Sequence, residues 1–121
     1  MLADDEPDIL TVATLALARV GGLEVVTCGG GFEAVEAVER ERPQLVLLDV
    51  MMPDLDGPAT LAAIRRGPWG ATVPVVFLTA KTHEDEVRRL YRLGAVGVIA
   101  KPFDPMRLAG QVREVWERRD D

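Results

Sequence analysis

The sequence predicts a doubly wound α/β domain, in which helices cover both faces of a five-stranded parallel sheet. Residues 45–48 and 75–78 are continuously apolar, as strands are when helices bury both of their faces. Five short apolar segments alternate with segments of helical character, without a break in composition. The 121 residues suffice for one hydrophobic core but not for two. We therefore expect a single domain over residues 1–121.

The amino-terminal third supplies two short strands and a helix. Strand 1 ends at Ala3, before two aspartates, and is shorter than the usual five or six residues. Either it is a stub or the natural chain begins earlier. Residues 7–20 are rich in Leu, Val and Ala and end at two glycines, which predicts helix 1. Strand 2 covers residues 23–27 and is followed by glycines.

The middle of the chain continues the alternation. Helix 2 is expected from residue 31 or 32 to residue 42. Its inward face carries Phe32, Val35 and Val38. Strand 3 follows at residues 45–48, and Asp56 is a suitable cap for helix 3 at residues 57–66.

The last third completes the pattern. Thr82, with Asp85 three positions later, approximates a capping box for helix 4. One face of that helix carries Val87, Leu90, Tyr91 and Gly94. Strand 5 ends at Ala100, and Asp104 followed by Pro105 predicts the start of helix 5. Its inward positions are Leu108, Val112 and Val115.

Polar residues stand at the ends of four of the strands. Right-handed crossovers leave few topologies for this chain, and the flavodoxin-like strand order 2-1-3-4-5 is the leading one. All strands of a parallel sheet end on the same edge, where ligands bind. The residues at these ends are Asp4, Asp5, Asp49, Thr79 and Lys101. Their three carboxylates, hydroxyl and ammonium group suit a divalent cation beside a phosphoryl group.

The chemistry of this set gives each member a role. Neighbouring carboxylates repel one another unless a cation joins them, and Mg²⁺ binds a few protein oxygens while keeping several waters. Lys101 can pair with Asp49 or with a phosphoryl oxygen, and the Thr79 hydroxyl can donate to the same group. Asp49 lies centrally and is the expected nucleophile. The bond before Pro102 is a candidate cis peptide that would aim Lys101.

Composition argues against several other classes of protein. The formal charge of −6, from 20 acidic and 14 basic residues, gives no electrostatic reason for nucleic-acid binding by this domain. Cys28 is the only cysteine, so neither an internal disulfide nor a thiolate zinc site can form. No segment approaches the ~20 apolar residues of a membrane span, and the first residues lack the basic region of a signal peptide. We expect a cytoplasmic protein without membrane contact.

Six short motifs occur in a specific order and spacing. They are Asp4-Asp5-Glu6-Pro7, Leu47-Leu48-Asp49-Val50-Met51-Met52-Pro53, Asp56-Gly57, Phe77-Leu78-Thr79-Ala80, Gly94-Ala95 and Lys101-Pro102-Phe103. With these motifs the whole chain resembles bacterial response regulator receiver domains, in particular stand-alone receivers of the chemotaxis-regulator type. The resemblance implies a phosphorylation-dependent switch of a two-component system that catalyses only its own phosphorylation and dephosphorylation.

The resemblance also implies a role for each site residue. Asp49 would accept a phosphoryl group from a histidine kinase or a phosphotransfer protein. Asp5, Asp49 and the Met51 backbone carbonyl would ligate Mg²⁺ directly, and Asp4 would do so through water. The phosphoryl group would be contacted by Thr79, Ala80 and Lys101. The lifetime of this group would be tuned by Met51 and Lys81.

One position departs from the family pattern. Three residues before Lys101, where many receivers carry Tyr or Phe, this chain has Val98. The sequence leaves open what replaces the switch aromatic. The resemblance places a downstream protein target on the face formed by helix 4, strand 5 and helix 5. The same region lacks the acidic pair that DNA-binding regulators often use for dimerisation, which favours a single-domain protein.

Two other functions fit part of the sequence. Residues 29–34 satisfy the dinucleotide-binding pattern G-x-G-x-x-A, and Asp49 follows at a distance suited to a ribose contact. This interpretation leaves the other strand-end residues unexplained, whereas a flexible strand-to-helix turn accounts for the glycines. A receiver-shaped module that binds a partner without phosphorylation would not need Asp5, Asp49, Thr79 and Lys101 together.

Overall fold

The computed structural model describes residues 1–119, which fold around one five-stranded parallel sheet. The strands are β1 (Leu2–Ala3), β2 (Thr27–Cys28), β3 (Val46–Asp49), β4 (Val75–Thr79) and β5 (Gly97–Ala100). The helices are α1 (Pro7–Leu15), α2 (Gly31–Glu41), α3 (Gly57–Ile64), α4 (Glu84–Arg92) and α5 (Leu108–Arg118). The strand order is β2-β1-β3-β4-β5 and all pairs are parallel. The predicted doubly wound fold and its strand order are therefore confirmed.

Helices cover both faces of the sheet, which explains the continuously apolar strands. On one face the buried side chains of the sheet pack with those of α2, α3 and α4, including Ala37, Val38, Leu61, Ile64 and Leu90. On the other face they pack with α1 and α5, including Ala13, Leu108, Ala109, Val112 and Val115. Successive residues of β4 alternate between the faces, because Phe77 belongs to the first cluster whereas Val76 and Leu78 belong to the second.

A cavity lies at the edge of the sheet where β1 begins, beside Met1, Val26 and Leu45. The Met1 ammonium group donates to the Leu45 carbonyl at 2.8 Å, and the Leu2 N–H donates to the Val26 carbonyl at 2.8 Å. The cavity has a volume of about 400 Å³ and is lined mostly by apolar side chains. The predicted strand over residues 23–27 is therefore wrong in its bounds, because only Thr27 and Cys28 pair with β1.

Several predicted helix details were wrong. Phe32 lies in the first turn of α2 but is 62% exposed, and the face turned to the core carries Ala34, Ala37 and Val38. Thr82 does not cap α4, whose N-cap is His83 without a side-chain hydrogen bond. The helix predicted to start at Asp104 is first a turn, closed by the Arg107 and Leu108 N–H groups on the Asp104 carbonyl, and α5 begins only at Leu108.

Other predicted helix features are confirmed. The Asp56 carboxylate accepts from the Ala59 N–H at 2.8 Å and caps α3. Helix 1 reaches Val20 as predicted, although its last turn, Ala16–Val20, is π-helical.

Cys28 is buried, and burial raises the pKa of its thiol to about 11, as for an inert core cysteine. Across residues 1–119 no helix is both long enough and apolar enough to cross a lipid bilayer.

Candidate functional site

Three carboxylates meet where β1 and β3 end. These strands are neighbours with Ala3 opposite Leu48, so the next residues, Asp4 and Asp49, lie side by side. Each of Asp4, Asp5 and Asp49 offers an oxygen within 4.8 Å of the others. Asp4 and Asp49 are buried, with Asp49 only 3% exposed, whereas Asp5 is open to solvent. The site therefore has two fixed carboxylates and one at its rim.

Lys101 brings a positive charge from the end of β5 into this cluster. Its Nζ lies 2.9 Å from an Asp4 oxygen and 3.3 Å from an Asp49 oxygen, with Glu6 farther away at 3.9 Å. The peptide bond between Lys101 and Pro102 is cis. The lysine therefore bridges both buried aspartates, and its closer partner is Asp4 rather than the Asp49 that the sequence suggested.

The electrostatics of the site favour a further cation. Burial, and secondly the Asp4 charge, raise the pKa of Asp49 from 3.8 to about 6 despite the opposing charge of Lys101. Burial of Lys101 by itself would lower the pKa of its ammonium group. The hydrogen bonds to Asp4 and Asp49 and the negative charges of these two carboxylates have the larger effect, so the pKa of Lys101 is raised. One lysine thus does not fully compensate the buried carboxylates. A hard divalent cation that accepts carboxylate oxygens suits this donor set.

Thr79 lies at the same edge, at the end of β4, and is buried. Its hydroxyl oxygen accepts from the Lys81 N–H at 3.0 Å, and its backbone carbonyl accepts from the Lys101 N–H at 2.8 Å. Ala80 and Lys81 are exposed. The hydroxyl is thus bonded to the loop that leads to α4.

The loop between β3 and α3 is folded back on itself beside Asp49. Its ends are joined by the Gly57 N–H, which donates to the Val50 carbonyl at 2.7 Å. A Cβ at Gly57 would lie 2.6 Å from the Asp49 carbonyl oxygen, so only glycine fits this approach. The Met51 N–H points to an Asp49 carboxylate oxygen at 3.4 Å, while the Met51 side chain is exposed.

Sequence reasoning missed one residue of this loop. The Asp54 carboxylate accepts from the N–H groups of Gly31 and Phe32, at 3.1 Å each. These amides open α2, where a dinucleotide pyrophosphate would bind. They are already occupied, and Asp49 faces Lys101 at 3.3 Å, so the structure gives no support to the dinucleotide alternative. The pairing of Asp54 with residues 23 and 22 positions earlier left no signal in the sequence.

The position of the missing switch aromatic is filled by a core residue. Val98 lies in β5 opposite Phe77 of β4 and packs against the core cluster on the α2–α3–α4 face. The nearby Tyr91 of α4 is exposed and does not replace an aromatic side chain there.

Comparison with known sequences identifies a common family. The sequence model of the response regulator receiver domain matches residues 1–113. The DNA-binding response regulator MtrA of Mycolicibacterium smegmatis is 36% identical over 121 residues, which cover 100% of this chain and 51% of MtrA. The alkaline phosphatase synthesis transcriptional regulatory protein PhoP of Bacillus subtilis is 36% identical, with 99% of this chain and 49% of PhoP covered. The chain spans about half the length of these curated relatives.

Solved structures share the fold over nearly their whole length. The chemotaxis response regulator CheY4 of Vibrio cholerae superposes with a TM-score of 0.86 at 28% identity, covering 94% of both chains. The receiver domain of NtrX from Brucella abortus superposes with a TM-score of 0.84 at 29% identity, covering 97% of both chains.

Proposed function

The chain belongs to the response regulator receiver domain family of two-component signalling systems, and we propose that Asp49 is its phosphoacceptor. The carrying observation is that Asp49 is a nearly buried carboxylate beside Asp4 and Asp5, with the Lys101 ammonium group 3.3 Å away. A carboxylate needs nearby positive charge to approach a phosphoryl group. Lys101 supplies one such charge beside Asp49, and a divalent cation held by the three carboxylates would supply the rest. The phosphodonor is a histidine kinase or a phosphotransfer protein.

The same residues fit a Mg²⁺ site. The three carboxylates can converge on one ion, with Asp5 and Asp49 as direct ligands and Asp4 acting through water. The Met51 backbone carbonyl, two residues after Asp49, would be the third direct protein ligand. Bound Mg²⁺ would neutralise charge on the transferring phosphoryl group.

The chain's own residues account for the transfer step. An Asp49 carboxylate oxygen attacks phosphorus, the bond from phosphorus to the donor atom breaks, and the donor leaves with the electron pair and takes a proton from solvent. The product is an acyl phosphate on Asp49. Lys101 then pairs with a phosphoryl oxygen, and the Thr79 hydroxyl and the Ala80 backbone contact the same group. The exposed side chains of Met51 and Lys81 would tune the lifetime of the acyl phosphate by limiting the access of water.

The proposed result of phosphorylation is that the domain binds another protein, and not that it releases a chemical product. The surface of α4, β5 and α5 and the turns beside it exposes Tyr91, Leu93 and, at 71%, Met106. A downstream target is expected to bind this face when Asp49 is phosphorylated. We place the protein in the cytoplasm as a switch that catalyses its own phosphorylation and dephosphorylation and that binds neither nucleic acid nor membrane through this domain.

Mass spectrometry after incubation with acetyl phosphate and Mg²⁺ tests the phosphoacceptor. We expect one phosphoryl adduct in the wild-type protein and none in Asp49→Asn. Asp85→Asn is the matched control, because this side chain is 98% exposed and lies on α4, and it should form the adduct like the wild type. No adduct in the wild type, or an adduct that persists in Asp49→Asn, would refute the assignment.

A further inference from the structure

Asp54 joins the loop that carries the phosphoacceptor to the start of a helix on the face of the sheet. It belongs to the β3–α3 loop, and its two carboxylate oxygens accept from the first two N–H groups of α2, those of Gly31 and Phe32, at 3.1 Å each. These backbone hydrogen bonds lower the pKa of Asp54, so the group is an anion at neutral pH. Asp54 therefore acts as an N-cap supplied from 22 to 23 residues away in sequence.

The glycines before α2 are shaped to receive this carboxylate. A Cβ at Gly30 would lie 2.8 Å from an Asp54 oxygen, and a Cβ at Gly31 would lie 2.7 Å from the Leu55 carbonyl oxygen. A larger residue at Gly31 would displace Leu55 or Thr60, and one at Gly30 would displace the Asp54 side chain. Close contact with the β3–α3 loop and α3 thus explains Gly30 and Gly31 of the triple glycine that the sequence pattern suggested for a dinucleotide.

The other anchors of this loop are hydrogen bonds within the loop and α3, together with the Met52 side chain, which is buried in the core cluster. The Gly57 N–H closes the loop on the Val50 carbonyl, and the buried Thr60 hydroxyl bonds to the carbonyls of Leu55 and Asp56. Asp54 supplies the side-chain link from residues 50–56 to another helix. Without it, the segment from Met51 to Asp54 would keep its two ends and the buried Met52 side chain as anchors, but no hydrogen bond to α2.

We propose that Asp54 is a positioning residue, which holds the β3–α3 loop so that the Met51 backbone carbonyl meets the metal site beside Asp49. This inference rests on the proposed function, because it takes the Met51 carbonyl as a Mg²⁺ ligand. Groups that orient a metal ligand from behind commonly change metal affinity by tenfold or more when they are removed. Asp54 itself touches neither the metal nor the phosphoryl group.

Calorimetric titration of the full chain with Mg²⁺ tests the proposal without relying on phosphorylation. We expect Asp54→Ala to weaken Mg²⁺ binding by roughly tenfold, and Asp54→Asn, which keeps one carbonyl acceptor, to restore most of that loss. The matched control is Glu39→Ala. The Glu39 carboxylate accepts from the Trp69 and Gly70 N–H groups at 3.0 and 2.8 Å, which is the same kind of link made near the other end of α2.

The two variants separate positioning from general stability. Urea unfolding in EDTA should show comparable losses for Asp54→Ala and Glu39→Ala, while only the first loses Mg²⁺ affinity. Unchanged Mg²⁺ binding by Asp54→Ala, or an equal loss in Glu39→Ala, would overturn the proposal. If the wild type binds Mg²⁺ but forms no adduct with acetyl phosphate, the phosphoacceptor assignment fails while this comparison still decides the role of Asp54.

Discussion

Replacing Asp49 by Asn should make the metal-free protein more stable, although it destroys the proposed phosphoacceptor. In the folded protein the pKa of Asp49 is raised from 3.8 to about 6, chiefly by burial. The folded state therefore holds this proton more tightly than the unfolded chain does. The contribution of the protonated Asp49 carboxyl group to the free energy of unfolding is therefore complete below about pH 4. It is lost as the pH rises through about 6, where Asp49 ionises in the folded protein.

The size of the effect follows from the two pKa values. Each pH unit between them corresponds to 1.36 kcal/mol, so an ionised Asp49 destabilises the fold by roughly 3 kcal/mol. Asn has nearly the same shape and carries no charge. Lys101 remains paired with Asp4 at 2.9 Å after the substitution. No buried charge is therefore left without a partner. We expect Asp49→Asn to exceed the wild type by about 2–3 kcal/mol at pH 7.5 and to match it near pH 4.

Urea unfolding in EDTA, followed from pH 4 to pH 8, measures this difference. Asp85→Asn is the control and should stay within about 0.5 kcal/mol of the wild type throughout, since the side chain is almost fully exposed. Added Mg²⁺ should narrow the gap, because binding to the wild type stabilises it by about 2.7 kcal/mol at one hundred times the Kd. An Asp49→Asn protein that is less stable than the wild type at pH 7.5, or a difference that does not vary with pH, would refute the reasoning.

Two further outcomes are expected from other parts of the fold. Arg65→Ala should lower the free energy of unfolding by about 2 kcal/mol, because the Arg65 guanidinium group donates to the Gly70 and Val73 carbonyls at 2.9 and 2.6 Å. The control is Arg66→Ala, which should change the free energy of unfolding little because Arg66 is exposed. Cys28 should react with an aromatic disulfide reagent at pH 8 at least roughly tenfold more slowly in the folded protein than in urea, and equal rates would show that the thiol is not buried.

The features that the sequence predicted are those that depend on local pattern and on the geometry of parallel sheets. Continuous apolar runs identified β3 and β4, and the strand order then required Asp4 and Asp49 to be neighbours. Some of the predictions that failed depend on contacts between distant parts of the chain. Phe32 fits the three-residue rhythm of α2, but the face that packs on the sheet carries Ala34, Ala37 and Val38, and Phe32 is left 62% exposed.

The link through Asp54 could not be predicted for a related reason. An acidic residue in a loop carries no periodicity, and its partners are backbone N–H groups that every sequence possesses. The glycines that receive it were visible, and the sequence favoured a flexible strand-to-helix turn over a dinucleotide site, but neither interpretation pointed to Asp54. Only the distances from Asp54 to Gly31 and Phe32 decide between an internal carboxylate and an external phosphate.

The hydrogen bonds of Thr79 indicate how a valine at position 98 can be compatible with switching. On the proposed function, the Thr79 hydroxyl turns toward the phosphoryl group on Asp49 and must then release the Lys81 N–H that it now accepts from at 3.0 Å. The loop between β4 and α4 loses that anchor, and the first turn of α4 has no side-chain cap to hold it in place. The signal can therefore reach the α4–β5–α5 face through the backbone of this loop. An aromatic ring moving beside β5 is not required, because the change begins at the Thr79 hydroxyl and is passed on by the residues that directly follow it.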